Sequence, residues 1–549
     1  MLASLWGLVG VGAWGTAYTW NGGGDGGTWT LPANWGVGSG YPGSAATSDT
    51  AAFPVSPTIP LVGTSGLPFT VTSMTVSTGV TVTLGANLTQ LGTLSLQGTG
   101  TLIQGGFALT ATTLNLGNAT GAASIANTGT LTVSGTTTLN VGAGNSVSLN
   151  YASNNLGTVV TTSALNVTLV DASGIILGAS TVSGALSVTA GGSITQSGTG
   201  LVVTSTSSFV STAGAVTLGT AGNKFTGAVS MSFAAASSIS AATTAVTLGT
   251  IVGSGIATFS ATPAASLSIG SGGSISMGTG TIALSPTSGD VTIAGPVSGS
   301  GALTVNPTAG SIYLDYPVTA TPASVVSMIN VNVTFSRPVI LMEDSQVQVL
   351  TQTATRIITF SSTVNGTSPG GQALTAISST GAFGNVRFSN TVGQTVSLKS
   401  LTATTGTGAA AIYLTGNITT SGAQSYSGTV SIRATTTLAT TDSNVSFSST
   451  IVASATLRNL SISTGLGKIS IGGVATAITV LNRLSVTSTN PDPDALTIRS
   501  VTTVSTQTYT GNVTLGATAT LTTTNSAVSI TGTLNGTTAG TQGLTVSAG

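Results

Sequence analysis

Gln507–Leu534 reads QTYTGNVTLGATATLTTTNSAVSITGTL, and Gln424–Ile451, 83 residues earlier, reads QSYSGTVSIRATTTLATTDSNVSFSSTI. The two align without a gap, and 14 of the 28 pairs are identical. Gln424, Tyr426 and Gly428 match Gln507, Tyr509 and Gly511. The apolar positions match as well: Val430, Ile432, Leu438, Val445, Phe447 and Ile451 against Val513, Leu515, Leu521, Val528, Ile530 and Leu534. A repeat of this kind implies stacked units, each burying its apolar face on its neighbours. The 83-residue offset divides into about four coils of roughly 20 residues, a plausible size for one solenoid turn. Gln-x-Tyr-x-Gly then marks the phase of the unit. On that reading Tyr426 and Tyr509 occupy equivalent corners, about four rungs apart on one edge.

The rest of the chain supports strands throughout. From about Leu61, Val, Leu, Ile and Phe alternate with Thr and Ser over short runs punctuated by Gly or Asn, the signature of half-buried strands. Leu186, Val188 and Ala190 share one face; Val229, Met231 and Phe233 share another. Hairpin sandwiches would need regular Asn-Gly or Asp-Gly turns. Most turns here are looser and Gly-centred, so a parallel β-helix is the better reading.

The chain has 549 residues, of which 4% are charged, with ten basic and ten acidic side chains and neither Cys nor His. This excludes a disulfide framework, the common zinc, copper and haem ligands, and triads built on His or Cys. The first cation is Lys224. No basic patch for nucleic acid or a polybasic membrane contact is present. The acids are scattered: Glu343 beside Asp344, and Asp492 and Asp494 in the NPDPD loop, are the local pairs. Either could offer oxygens to Ca²⁺, but one pair supplies too few of the six to eight ligands needed, and a solvated loop is the simpler reading. No catalytic, cofactor-binding or metal-binding residue is assigned, and the chain reads as non-enzymatic. Asn-x-Ser/Thr sequences at Asn118, Asn166, Asn332, Asn417 and Asn512 are expected by chance in so Thr-rich a chain and receive no role.

Residues 1–17 carry an apolar run, Leu2–Ala17, shorter than a membrane helix requires and similar to a secretory signal core without its positive start; a buried N-terminal strand fits equally. Residues 18–60 are rich in Trp and Gly, and all five Trp lie within the first 35 residues. Large aromatics suit a cap over the first rung of a solenoid; the alternative is an aromatic sugar-binding platform. Residues 61–549 form the repetitive body. Thr-x-Thr at Thr81/Thr83 and Thr130/Thr132 raises an ice-binding alternative, although its recurrence is irregular.

Ala185–Gly198 (ALSVTAGGSITQSG), Ala221–Phe233 (AGNKFTGAVSMSF), Phe360–Ala376 (FSSTVNGTSPGGQALTA) and Gly532–Gly549 (GTLNGTTAGTQGLTVSAG) resemble the repeats of filamentous haemagglutinin-like and autotransporter-passenger-like bacterial exoproteins. The resemblance implies a right-handed parallel β-helix exported to the cell surface as an adhesin, filament or stalk. Two departures stand out: no NPNL-like secretion signature near the start, and no C-terminal membrane barrel pattern. The expected role is a secreted, surface-located β-helical rod: adhesin, filament subunit or surface-layer component. A glycan-binding or glycan-degrading β-helix is the alternative. Its partners would be further copies of itself or a glycan or protein of a host or neighbouring cell, with no nucleic acid and no integral membrane segment.

Overall fold

A computed structural model describes residues 15–549, apart from 37–38, 45–47, 58–59, 243, 318–324, 351–354, 379–382, 407–410, 454–455 and 473–477. Most of the apolar run, with Trp6 and Trp14, lies outside the described residues. The protein is an all-β parallel solenoid with a single turn of 3-10 helix at Pro32–Asn34 among the described residues. It divides into two compact units, Met1–Ala234 and Ala235–Gly549.

In the first unit, Ala17–Thr19 pairs parallel with Thr50–Phe53, which pairs with Val71–Val76 and then Leu88–Leu96 and Leu109–Leu116. In-register pairing puts like on like. Phe53, Val76, Leu96, Leu116 and Leu139 form one inward row, and all are buried. Each such side chain contributes about 1.5–3 kcal/mol on leaving water. Alternate residues point outward and are mostly Thr, Ser and Asn, which strands accept through β-branching or short polar groups.

Around the repeat copies in the second unit each turn carries three strands. Around the first repeat copy these are Gln424–Ser427, Thr429–Ile432 and Thr436–Thr440. Ile358, Val386, Ile412, Val430 and Ile451 stack in one inward row. Beside it, Phe335, Phe360 and Phe388 stack with centroids 5.2 Å apart, close to the ~4.8 Å rung spacing of a sheet.

The two repeat copies do not occupy one edge. Tyr426 is in register with Phe447, and Phe447 with Ile471, on the first face. Tyr509 is in register with Val486, and the row continues through Ile462, Leu438 and Ile418 on the third face. From Gln424–Ser427 to Gln507–Thr510 the chain advances eleven strands. At three strands per turn that is three and two-thirds turns, so every repeated segment moves round by one face. The expectation of four whole turns is therefore corrected. The solenoid absorbs the mismatch because its three faces share one inward-apolar, outward-hydroxyl pattern. The tyrosines are also not at corners. Both are buried inside the coil, and it is Gly428 and Gly511, at φ of 128° and 126°, that turn the chain. At either glycine a Cβ would collide with the preceding turn, at Thr405 Oγ1 or Ser488 O.

A second pair of segments follows the same rule. Val364–Leu374 and Leu534–Leu544 share N-G-T-x-x-G-x-Q, and in each loop the Gln side-chain oxygen accepts a backbone N–H, from Thr367 to Gln372 and from Thr538 to Gln542. The earlier loop leaves the third face and the later one leaves the first. Loop and corner chemistry is thus transferable between faces.

Candidate functional site

The Trp-rich segment closes the first turn. Trp20, Trp29 and Trp35 are at most 2% exposed, with Trp35 edge-on to both others at 5.0 Å and Trp20 stacked on Phe53 at 5.3 Å. Trp29 Nε1 donates to Pro42 O and Trp35 Nε1 to Trp29 O. A polar knot fixes the loop above them. Asn34 Oδ1 accepts from Gly24 N and Gly26 N, while its amide donates to Asp25 Oδ1 and Thr28 O. These rings are core, so they offer no flat platform to a sugar. Trp20, Trp29 and Trp35 thus pack into the first turn, as the cap reading expects.

The Thr28 hydroxyl and then the Thr28 and Gly27 N–H groups hold the Asp25 carboxyl far below its ordinary pKa. A depressed folded pKa adds stability above the unfolded value, about 3.9, and loses it as pH falls through the folded one. Cap order, read by tryptophan fluorescence, is expected to hold from neutral pH down to about pH 4 and to weaken below it. Asp25→Asn should remove that acid-dependent component.

Lysines engage Asp344 of the first acidic pair and both acids of the second. Lys399 Nζ lies 2.9 Å from Asp344 Oδ2, and Lys468 Nζ lies 2.9 and 2.7 Å from Asp492 and Asp494. Partial burial pushes Asp344 up, but the Lys399 and Ala373 hydrogen bonds outweigh it and leave the carboxyl below its usual range. The hydrogen bond from Lys468 lowers Asp494 in turn. Among the described residues no three acidic side chains gather where they could hold a metal ion. No helix among them is long and apolar enough to cross a membrane.

Thr81 and Thr83 are in register with Thr101 and Ile103, and these with Ser124 and Ala126. Thr-x-Thr is therefore not repeated on the neighbouring rungs. Several of the Asn-x-Ser/Thr asparagines bridge turns instead: Asn166 Oδ1 accepts Ala185 N, Asn332 Oδ1 accepts Ile357 N, and Asn417 Oδ1 accepts Thr437 N. Each satisfies an N–H that starts a strand one turn on.

Two side-chain constellations escaped the sequence reading. The first is internal. Gln507 Nε2 donates to Val501 O, Thr503 Oγ1 and Thr522 O, and its Oε1 accepts from Tyr509 OH. Gln424 and Tyr426 make the same bonds, to Ile418 O, Thr420 Oγ1 and Ala439 O. Burial pushes both phenols well above their ordinary pKa, so each stays a hydrogen-bond donor. The second is external. The Tyr413 ring sits between two guanidiniums, with Arg387 Cζ 5.2 Å and Arg433 Cζ 4.3 Å from its centroid. The three residues are separated by 26 and 20 positions, so uneven turn lengths hide them in the sequence. Strand-by-strand alignment would have exposed them.

Residues 103–163 and 164–232 each match a family model described as repeats of unknown function (DUF5649). The two matches abut, lie in the first unit, and cover about a quarter of the chain. Together with the stacked parallel strands of the structure, they fit a repeat protein. Neither the curated proteins nor the solved structures return a match.

Proposed function

We infer that this is a non-enzymatic, exported surface protein whose solenoid wall makes the functional contacts, in the first place as an adhesin. The observation carrying this reading is the outward row Thr304, Thr334, Thr359, Arg387 and Tyr413, which sets hydroxyls and then a charged aromatic cluster on successive rungs. Hydroxyl rows present donors and acceptors at one repeated spacing, which suits an extended polar partner. Asp344, Asp492 and Asp494 are engaged by lysines, which does not favour them as the two carboxylates that glycan cleavage places on either side of one bond. The resemblance to filamentous haemagglutinin-like exoproteins points the same way.

A filament or surface-layer subunit is the second reading, favoured by a wall with few charges to oppose lateral association. Two measurements test this: the first tests export, the second separates the two readings. Antibody against the intact protein should label unbroken cells of the source organism; labelling only after lysis would contradict export. Purified protein should be monodisperse in the electron microscope and bind cells or immobilised glycans. Ordered polymers without such binding would favour the filament.

A further inference from the structure

Nine of the ten cations, but only five of the ten acids, lie between Arg337 and Arg499. Three of those acids, Asp344, Asp492 and Asp494, are taken by Lys399 and Lys468. The arginines are left in excess, and among the described residues neither Arg387 nor Arg433 pairs with an acid. Both are exposed. On an otherwise almost uncharged wall, they flank the Tyr413 ring from the rungs on either side.

Stacking on the ring is worth about 0.5–1 kcal/mol at an exposed site, and it restricts each guanidinium. That restriction lowers the ordering cost when an anion arrives. The planar fork of a guanidinium matches a carboxylate through two parallel N–H donors. Two forks, spaced by two rungs at roughly 4.8 Å each, present repeated carboxylate seats about 10 Å apart. The hydroxyl row Thr304, Thr334 and Thr359 leads up to them.

We propose that Arg387 and Arg433, held by Tyr413, form a docking point for the carboxylate groups of an acidic polysaccharide lying along this row. This rests on the adhesin reading and names the class of its ligand. A polynucleotide is disfavoured, because its affinity comes from many phosphate contacts and two isolated cations supply few.

The test uses the full chain, immobilised, with polygalacturonate as probe. Fully methyl-esterified polygalacturonate, neutral dextran and duplex DNA serve as comparators. Binding to polygalacturonate should weaken with added salt and fall at least tenfold in R387Q/R433Q, with dextran and the ester bound no better than by that variant. R387K/R433K should recover only part of the loss, since ammonium groups keep the charge without the fork. A melting curve matching the parent shows that the variants fold. No binding to polygalacturonate, undiminished binding by R387Q/R433Q, or DNA bound as tightly overturns the proposal. If the double variant still adheres to cells, this site falls while the surface-protein reading stands.

Discussion

Gln507→Ala is expected to destabilise the turns around it by about 3–5 kcal/mol. The side chain is wholly buried and makes four hydrogen bonds. Its removal takes one hydrogen bond from each of two backbone carbonyls and leaves the Tyr509 hydroxyl without its acceptor inside the coil, which costs about 1–3 kcal/mol for a buried unpaired group. Tyr509→Phe removes one bond and orphans only Gln507 Oε1, so it should cost about 1–3 kcal/mol. The corresponding changes at Gln424 and Tyr426 should give matching losses, because the same bonds recur at the same offsets. Hydrogen exchange is the suitable readout, since a stacked repeat loses stability locally. Unchanged protection in Gln507→Ala would contradict a structural role for this pair.

Trp35→Ala should cost about 3–5 kcal/mol at the N-terminal end. Its ring touches Trp20, Trp29, Phe53 and Tyr18, and its Nε1 closes a buried hydrogen bond to Trp29 O. The loss should free the Ala17–Thr19 strand and uncover a sheet edge, which invites association between chains. Near-ultraviolet dichroism should lose its aromatic signal before the far-ultraviolet strand signal fades. Trp35→Phe, which keeps an edge-on ring but no N–H, should lose less. Equal cooperative melting of Trp35→Ala and the parent would show that the cluster is not a cap.

Much of the fold was legible because one period dominates. Leu, Val and Ile alternating with Thr need no tertiary information to be read as strands, and the first-35-residue clustering of Trp marked the cap. The phase of the repeat was not legible. Gln-x-Tyr-x-Gly reads the same on any face, and only the pairing of Tyr509 with Val486 rather than with the Phe447 row reveals the shift. The burial of Gln424 and Gln507 was not legible for a related reason: it depends on carbonyls six residues back and 15 residues ahead. The Arg387–Tyr413–Arg433 cluster was hidden because no fixed spacing links its members.

The central claim is a three-faced parallel solenoid in which the repeat advances by three and two-thirds turns. The chain has no cysteine, so engineered pairs report without interference. Ser485 and Thr508 are lateral neighbours on the third face, whereas Thr497 belongs to the first-face row that carries Ser446 and Ser470. Disulfide formation needs Cα atoms within about 4.4–6.8 Å. Under mild oxidation, Ser485→Cys with Thr508→Cys should cross-link and Thr497→Cys with Thr508→Cys should not. A cross-link in the second pair without one in the first would place both repeat copies on a single edge and contradict the account.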